Sequence, residues 1–442
     1  MTSDSNPTEQ TGPPPRPGFR LPYLRWYICA LLFFATTINY IDRQTVSVLK
    51  PYLQDALHWS ESDYGWIVFA FQVAYAVMLM VSGKVMDWLG TRVGYTLAMI
   101  WWSLAAMAHA LARGAFSFGV ARFFLGAGEA GNFPAAIKSV AEWFPAKERA
   151  LATGILNAGT NVGAMVAPPL VVWLTLKWGW QEAFLVTGSL GFIWLIFWLI
   201  FYRPPDKHPW ITEGELRVIQ SDNPPSQAKF EPSIPWKSIL RYRQAWGFII
   251  GKFMTDPIWW FYVFWLPSYL KQERGFSLQM IGYFAWIPFL AADVGSIAGG
   301  WFSGFLIKRG WTVDRARKAT MAICAFAMPA AIAAVFAPNV WLALALISVA
   351  TSAHQGWSAN IFTLASDMFP KKDVGSVVGL GGTGGAVGGM ILALTAGYVL
   401  QWFHTYVPLF ILAGIMHPLA LVVIYRMIPK VEPIALPGGP SR

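Results

Sequence analysis

"EWFPAKERALATGILNAGTNVGA", residues 142–164, and "DMFPKKDVGSVVGLGGTGGAVGG", residues 367–389, align without a gap at an offset of 225. Phe144 meets Phe369, Pro145 meets Pro370, Lys147 meets Lys372 and Glu148 meets Asp373. Gly154, Gly159 and Gly163 meet Gly379, Gly384 and Gly388. Chance similarity of two Gly-rich helices is the weaker explanation. An internal repeat of this length predicts two halves of one architecture, running in the same direction.

Each copy lies at the edge of a long apolar stretch. The chain has 442 residues, of which 55% are hydrophobic, 16% aromatic and only 13% charged, a composition foreign to soluble proteins. Apolar runs long enough to cross a hydrocarbon core of roughly 30 Å as helices recur along nearly the whole length. Their edges predict twelve spans: 26–49, 62–84, 92–112, 116–140, 148–176, 181–202, 244–271, 278–307, 315–337, 339–365, 373–402 and 405–428. The expected class is an all-α polytopic membrane protein of two six-helix bundles.

The organisation follows: a disordered tail over 1–25, a bundle over 26–202, a polar Pro-rich linker over 203–243, a second bundle over 244–428 and a tail over 429–442. Residues 1–22 are polar and hold Pro13, Pro14, Pro15 and Pro17, so they do not read as a cleaved signal, and the first span is its own insertion signal. Cys29 and Cys324 fall in different spans without ligand spacing, so no metal site or disulfide is indicated.

A net charge of +10 invites a nucleic-acid reading, but its distribution argues against one. With the N-terminus inside, about 25 of the 33 Lys and Arg fall in tails, loops and helix ends on the cytoplasmic side. Both termini are therefore expected in the cytoplasm, with the basic face turned to anionic lipid; the chain is separately expected to be a monomer in the inner (cytoplasmic) membrane.

Parallel halves related by an axis along the membrane normal are the plan of one large class of alternating-access transporters. The glycines at spacings of four and five allow close helix approach, either where the halves slide or as plain packing.

Ionisable groups in a span are costly and mark a pathway by default. The candidates are Asp42 and Arg43, side by side in "NYIDRQTV", then Arg122 and Glu129, Lys252 and Asp256, and Asp293. At 1.5 Å per residue Asp42 lies about 24 Å from the cytoplasmic start of the first span and Arg122 about 9 Å below the outer start of the fourth. Glu129 is two turns beyond Arg122 on the same face, so one column of charge runs from the outer side to the centre. Lys252 and Asp256, spaced i, i+4, either neutralise each other locally or serve the pathway. Pro257 and Pro267 weaken the seventh span, which would let it bend as a gate. Trp260 is either a ring contact for a ligand or an interface anchor. The repeat places His354 opposite Glu129, either as a satisfied structural histidine or as a proton carrier. Tyr40, Gln72, Tyr75, Asn157, Asn161 and Gln355 are further polar groups near mid-span.

"GKVMDWLGTRVG", from Gly83, carries the G-x-x-x-D-x-x-G-x-R pattern of the loop between spans two and three of the major facilitator superfamily. With "NYIDRQTV", "RFFLGAGEAGNFPAAIKSVAEWFPAKERA" and "AGTNVGAMVAPPLV", the chain resembles that superfamily's anion:cation symporter branch over residues 24–428, most of all bacterial hexuronate and aldonate transporters. The resemblance implies proton-coupled uptake of a sugar acid, with protons as the coupling ion and no cofactor. It assigns proton coupling to Asp42 and Glu129, and the substrate site to Arg43, Arg122 and Tyr75, joined here by Tyr40, Asn157, Trp260, His354 and Gln355 as candidates. Gly83, Asp87, Gly90 and Arg92 become gating candidates. Two positions depart from the family: Trp88 follows Asp87 where a basic residue is common, and Gly304 stands where the second half would have an Asp.

The seven central ionisable groups are four acids and three bases, so a monoanion would bring the site from −1 to −2. Protonating Asp42, Glu129 or both relieves that cost and frees an arginine for a bidentate grip on a carboxylate. A membrane-embedded enzyme using these acids and His354 is the rival class, yet the sequence has no metal-ligand cluster, nucleophile elbow or phosphate loop. The same residues would also suit a sensor that binds without transporting, or a permease for a different organic anion such as an aldonate or an aromatic acid.

Overall fold

The computed structural model describes residues 20–144, 146–220, 236–369 and 374–434, leaving out the side chains of a few helical residues, Gly83 and Asp87 among them. The tail before 20, the linker centre 221–235, the chain after 434, and Pro145, Pro370, Lys372 and Asp373 of the repeat lie outside the described residues.

The first half holds α1 (Leu24–Leu57), α2 (Glu61–Leu89), α3 (Thr91–Ala108), α4 (Ala115–Glu129), α5 (Asn132–Trp143), α6 (Ala146–Trp178) and α7 (Trp180–Phe201). The linker contributes α8 (Glu213–Gln220) and α9 (Trp236–Ile239). The second half holds α10 (Arg243–Gln272), α11 (Leu278–Phe284), α12 (Ile287–Lys308), α13 (Val313–Ala327), α14 (Ala330–Val335), α15 (Val340–Met368), α16 (Val374–Phe403) and α17 (Val407–Met427). Among the described residues three spans consist of two helices each, α4 with α5, α11 with α12 and α13 with α14, which makes six spans per half there.

Proline stands at each of those breaks. Pro134 has no N–H to offer the carbonyl of Ala130, so the ladder fails between α4 and α5. The hydroxyl of Ser82, on α2, donates to that carbonyl at 3.0 Å, satisfying a group that lipid could not. Pro288 and Pro329 occupy the other two breaks. Pro257 and Pro267 act differently, since α10 runs unbroken through both. The first span is longer than the hydropathy suggests: α1 continues past Leu49 through Pro51 to Leu57.

The repeated glycines pack each half against itself. A Cβ on Gly159 or Gly163 would stand 2.5 Å from the carbonyl oxygen of Phe33 or Thr37, so these glycines let α6 lie directly on α1. Their counterparts Gly384 and Gly388 meet the carbonyls of Ile249 and Phe253 and set α16 on α10 in the same way. Gly154 and Gly379 share the opposite environment, with nothing within 4 Å of either Cβ position.

The linker is fastened to the first half. Glu215 of α8 accepts the backbone N–H groups of Leu24 and Arg25 at 2.9 and 3.0 Å, capping the start of α1, and pairs with the Arg25 guanidinium at 3.0 Å. Arg25 also reaches Glu148 in the first turn of α6 at 2.9 Å.

The halves meet through α2 with α16, α1 with α10, and α6 with α11 and α12. These contacts gather at the end away from the linker: Tyr64 Oη donates to the Phe264 carbonyl at 2.8 Å, Trp66 Nε1 to Tyr398 at 3.1 Å, and Gly65 lies against Gly397. At the linker end, Gly154, Asn157 and Gly379 are exposed.

Candidate functional site

α1 carries Asn39, Tyr40, Asp42 and Arg43 through the middle of the molecule, and all four are buried. A guanidinium at this depth has to be surrounded by groups that replace water. Arg43 finds its counter-charge on α4: Glu129 Oε2 lies 2.8 Å from both Nε and Nη2, and neither side chain has any exposed surface. Nη2 also donates to Asn39 Oδ1, one turn back, at 3.3 Å. The rings of Tyr40, Phe71 and Tyr75 close over the guanidinium at 4.6, 5.0 and 4.8 Å. A fourth ring at 5.2 Å, that of Trp260 on α10, comes from the other half. Cation–π contact of this kind compensates a desolvated arginine.

Arg122 is the second buried guanidinium. Its Nη2 donates to the Arg43 backbone carbonyl at 2.7 Å, and the rings of Phe71 and Phe264 lie 5.1 and 5.9 Å away. Arg122 has no carboxylate at ion-pair distance among the described residues, and its Nε and Nη1 are buried without a hydrogen-bond partner there. Both Asp42 oxygens, Arg43 Nη1, Asn39 Nδ2, Glu129 Oε1 and both amide atoms of Gln72 share that condition. Gln72 lies beside Gly389 of α16, so its unpartnered amide faces the seam between the halves.

The expected column of charge thus closes on α1. Arg43 is the partner of Glu129, and Arg122 donates to the Arg43 backbone carbonyl rather than pairing with Asp42 among the described residues. The other ionisable groups stand around this cluster. Lys252 and Asp256 pair with each other at 2.8 Å, and the Lys252 ammonium lies 4.0 Å from the Phe362 ring centre. Asn161 donates to Asp293 across the seam between α6 and α12.

His354 lies apart. Its Nδ1 is 3.0 Å from Nε2 of His417 on α17, and its ring stacks on Trp259 at 5.6 Å. His417 was not a candidate from sequence, although a histidine inside the 21-residue apolar run of α17 is a legible signal. Asn157 is exposed on α6 and Gln355 half-buried on α15, and neither side chain bonds to the Arg43 cluster among the described residues. Of the gating candidates, Gly90 takes φ +78° between α2 and α3, where a glycine is favoured, and Arg92 donates to the Leu199 carbonyl of α7 at 2.6 Å within its own half. The side chains of Gly83 and Asp87 lie outside the described residues.

Two buried guanidiniums, an ion pair shared with one acid, a second buried acid and a ring from the opposite half suit the binding of an organic anion rather than hydrolysis. A family model for the major facilitator superfamily matches residues 32–310 and 304–441. The chain belongs to that superfamily. Among similar major facilitators, the hexuronate transporter of Escherichia coli (strain K12) is 36% identical over 421 residues, covering 92% of this chain and 96% of its own. The galacturonate transporter of Dickeya chrysanthemi is 39% identical over 284 residues, covering 64% of this chain and 82% of its own. In fold, a bacterial homologue of the human lysosomal transporter Spinster superposes with a TM-score of 0.69 at 17% identity, over 92% of this chain and 95% of that one. These are transporters, so the membrane-embedded enzyme is excluded as the class, and this major facilitator is a transporter of a small molecule.

Proposed function

We propose that the protein imports a sugar-acid monoanion, a hexuronate in the first instance, by proton symport with alternating access, as a monomer in the inner membrane with both termini in the cytoplasm. The reading rests above all on the buried Arg43–Glu129 pair beneath Trp260. While Glu129 is charged, Arg43 is neutralised within its own half and has no call for a substrate carboxylate. A proton on Glu129 cancels that attraction, and the guanidinium then gains most by meeting an external carboxylate in a bidentate pair. Arg122, with two unpartnered nitrogens, adds a second grip. Proton and substrate therefore favour each other's binding.

The seam supports the access pattern. Contacts between the halves lie at the end away from the linker, whereas exposed Asn157 and Gly379 line the other end. With the linker in the cytoplasm, this is an inward-open arrangement, and rocking of the halves would open the opposite side. Monoanions fit better than dianions, because Lys252 is already held by Asp256 and, among the described residues of the site, no third cation is free for a second carboxylate once Arg43, released by protonated Glu129, and Arg122 share the first. The relatives named as hexuronate and galacturonate transporters favour the same class.

Counterflow in proteoliposomes tests the assignment. D-glucuronate and D-galacturonate should drive labelled hexuronate exchange, galactonate should compete more weakly, and glucarate and benzoate should fail. Absence of counterflow with both hexuronates, or preference for the dianion, overturns it.

A further inference from the structure

The overrun of α1 past Leu49 places a lysine where the halves close. Lys50 is two turns beyond Arg43 on the same helix face, and its side chain has no exposed surface. Its ammonium lies 2.7 Å from Glu61 at the start of α2, 5.2 Å from the ring centre of Tyr64 and 5.1 Å from that of Trp265. Trp265 belongs to α10 of the other half and meets Tyr64 edge-on at 4.8 Å.

Glu61 gathers further strands of the seam. It accepts from Gln54 Nε2 at 2.8 Å within its half and from Gln272 Nε2 at 2.8 Å across the seam, while its backbone N–H donates to Gln401 Oε1 of α16 at 3.1 Å. Beside it, Lys271 of α10 donates to the Pro51 carbonyl at 2.6 Å and pairs with Asp55 at 2.5 Å. One buried ammonium and one carboxylate thus hold the ends of α1, α2, α10 and α16 together.

We propose that Lys50 is a gating residue for transport, latching the end of the molecule away from the linker. Its burial needs Trp265 above it, so it exists only while the halves meet here. When they part, ammonium and carboxylate regain water. Removing one partner strands the other without its counter-charge and weakens the closed state, whereas removing both leaves a neutral contact that closes again. The idea rests on the alternating-access reading.

The test uses the full-length protein with spin labels at Ala56→Cys and Trp402→Cys, two exposed sites at the ends of α1 and α16, and double electron–electron resonance distances. Lys50→Met should raise the population of the longer distance about tenfold, Glu61→Gln should do likewise, and the double variant should return toward the parent. Trp265→Leu, which leaves every charge in place, should shift the distances in the same direction by less, and it carries the test if Lys50→Met does not fold. Unchanged distances in these variants, while the parent responds to D-glucuronate, overturn the latch and leave alternating access standing. A parent with one distance under every ligand and pH condition overturns both.

Discussion

Trp259 stacks on His354, with ring centres 5.6 Å apart and planes 8° from parallel, at the place in the second half that Arg43 and Glu129 hold in the first. The paired glycines establish the correspondence, because they set Phe33 opposite Ile249 and Thr37 opposite Phe253, a register that carries Arg43 onto Trp259. The offset of 225 carries Glu129 onto His354. One scaffold therefore holds an ion pair in one half and an aromatic stack in the other. His354 is satisfied by His417, and this predicts a structural role. His354→Gln should lower the melting temperature, since it leaves a buried nitrogen of His417 without its partner at a cost of about 1–3 kcal/mol. It should leave pH-driven accumulation within about twofold of the parent, a margin well under the roughly 1.4 kcal/mol that a tenfold change represents. Loss of accumulation at unchanged stability would make His354 a proton carrier instead.

Arg122 offers a test of the anion grip. Arg122→Ala removes a guanidinium that has no carboxylate partner among the described residues and should weaken hexuronate binding at least tenfold by calorimetry. Arg122→Lys keeps the charge but loses the planar fork, so its affinity should fall between the two. Near-parental affinity in the alanine variant would reduce Arg122 to a brace for the Arg43 carbonyl.

The packing account predicts which glycines tolerate a methyl group. A Cβ on Gly126 would collide with the backbone carbonyl of Phe71, which cannot yield without moving α2, whereas Gly154 faces open space. Gly126→Ala should cost about 1–3 kcal/mol of stability, as overpacking does, and Gly154→Ala should be neutral by thermal unfolding in detergent.

Much of this plan was legible in sequence, and the limits have physical causes. Hydropathy and the repeat reported the twelve spans because lipid demands long apolar helices and the halves share their glycine contacts. The charges in the spans were legible because so few groups tolerate that place. Partnership was not legible: Asp42 and Arg43 are adjacent in sequence, but a helix turns them about 100° apart, so only one of them faces Glu129. Trp260 and Trp265 reach Arg43 and Lys50 from the other half, a contact that no spacing along the chain encodes. The true end of α1 was hidden because Lys50 and Pro51 look like a boundary in hydropathy, although a proline can stand inside a long helix when neighbours satisfy the freed groups.

The linker carries a pH-sensitive contact. His208 Nδ1 accepts the Trp210 N–H at 3.1 Å, while Nε2 donates to the Phe201 carbonyl at 2.9 Å, a pattern only the neutral ring supports. Burial pushes its pKa below the ordinary imidazole value. A depressed folded value means that this contribution to stability is complete above about pH 6.5 and is lost as the pH falls below it. Hydrogen exchange over residues 205–216, corrected for intrinsic rates, should therefore quicken between about pH 7.5 and pH 5.5, and His208→Gln should flatten the change. Equal protection at both values would contradict the assignment.

The central claim is that the proton which couples transport sits on the acid paired with Arg43. Accumulating a monoanion in an inside-negative cell costs about 2.3 kcal/mol per 100 mV, so uptake against a gradient calls for a compensating cation, which the proposed symport supplies as a proton. Glu129→Gln mimics the protonated acid permanently, and the four rings around Arg43 remain to hold the guanidinium. The most direct measurement pairs pH-gradient uptake with counterflow of D-glucuronate in the same proteoliposomes, using Glu129→Gln protein checked for folding. The predicted result is exchange close to the parent with accumulation abolished, because a loaded carrier can still reorient but cannot release a proton. Accumulation against a gradient at the parental level would contradict the account and move the coupling to Asp42, Asp256 or Asp293.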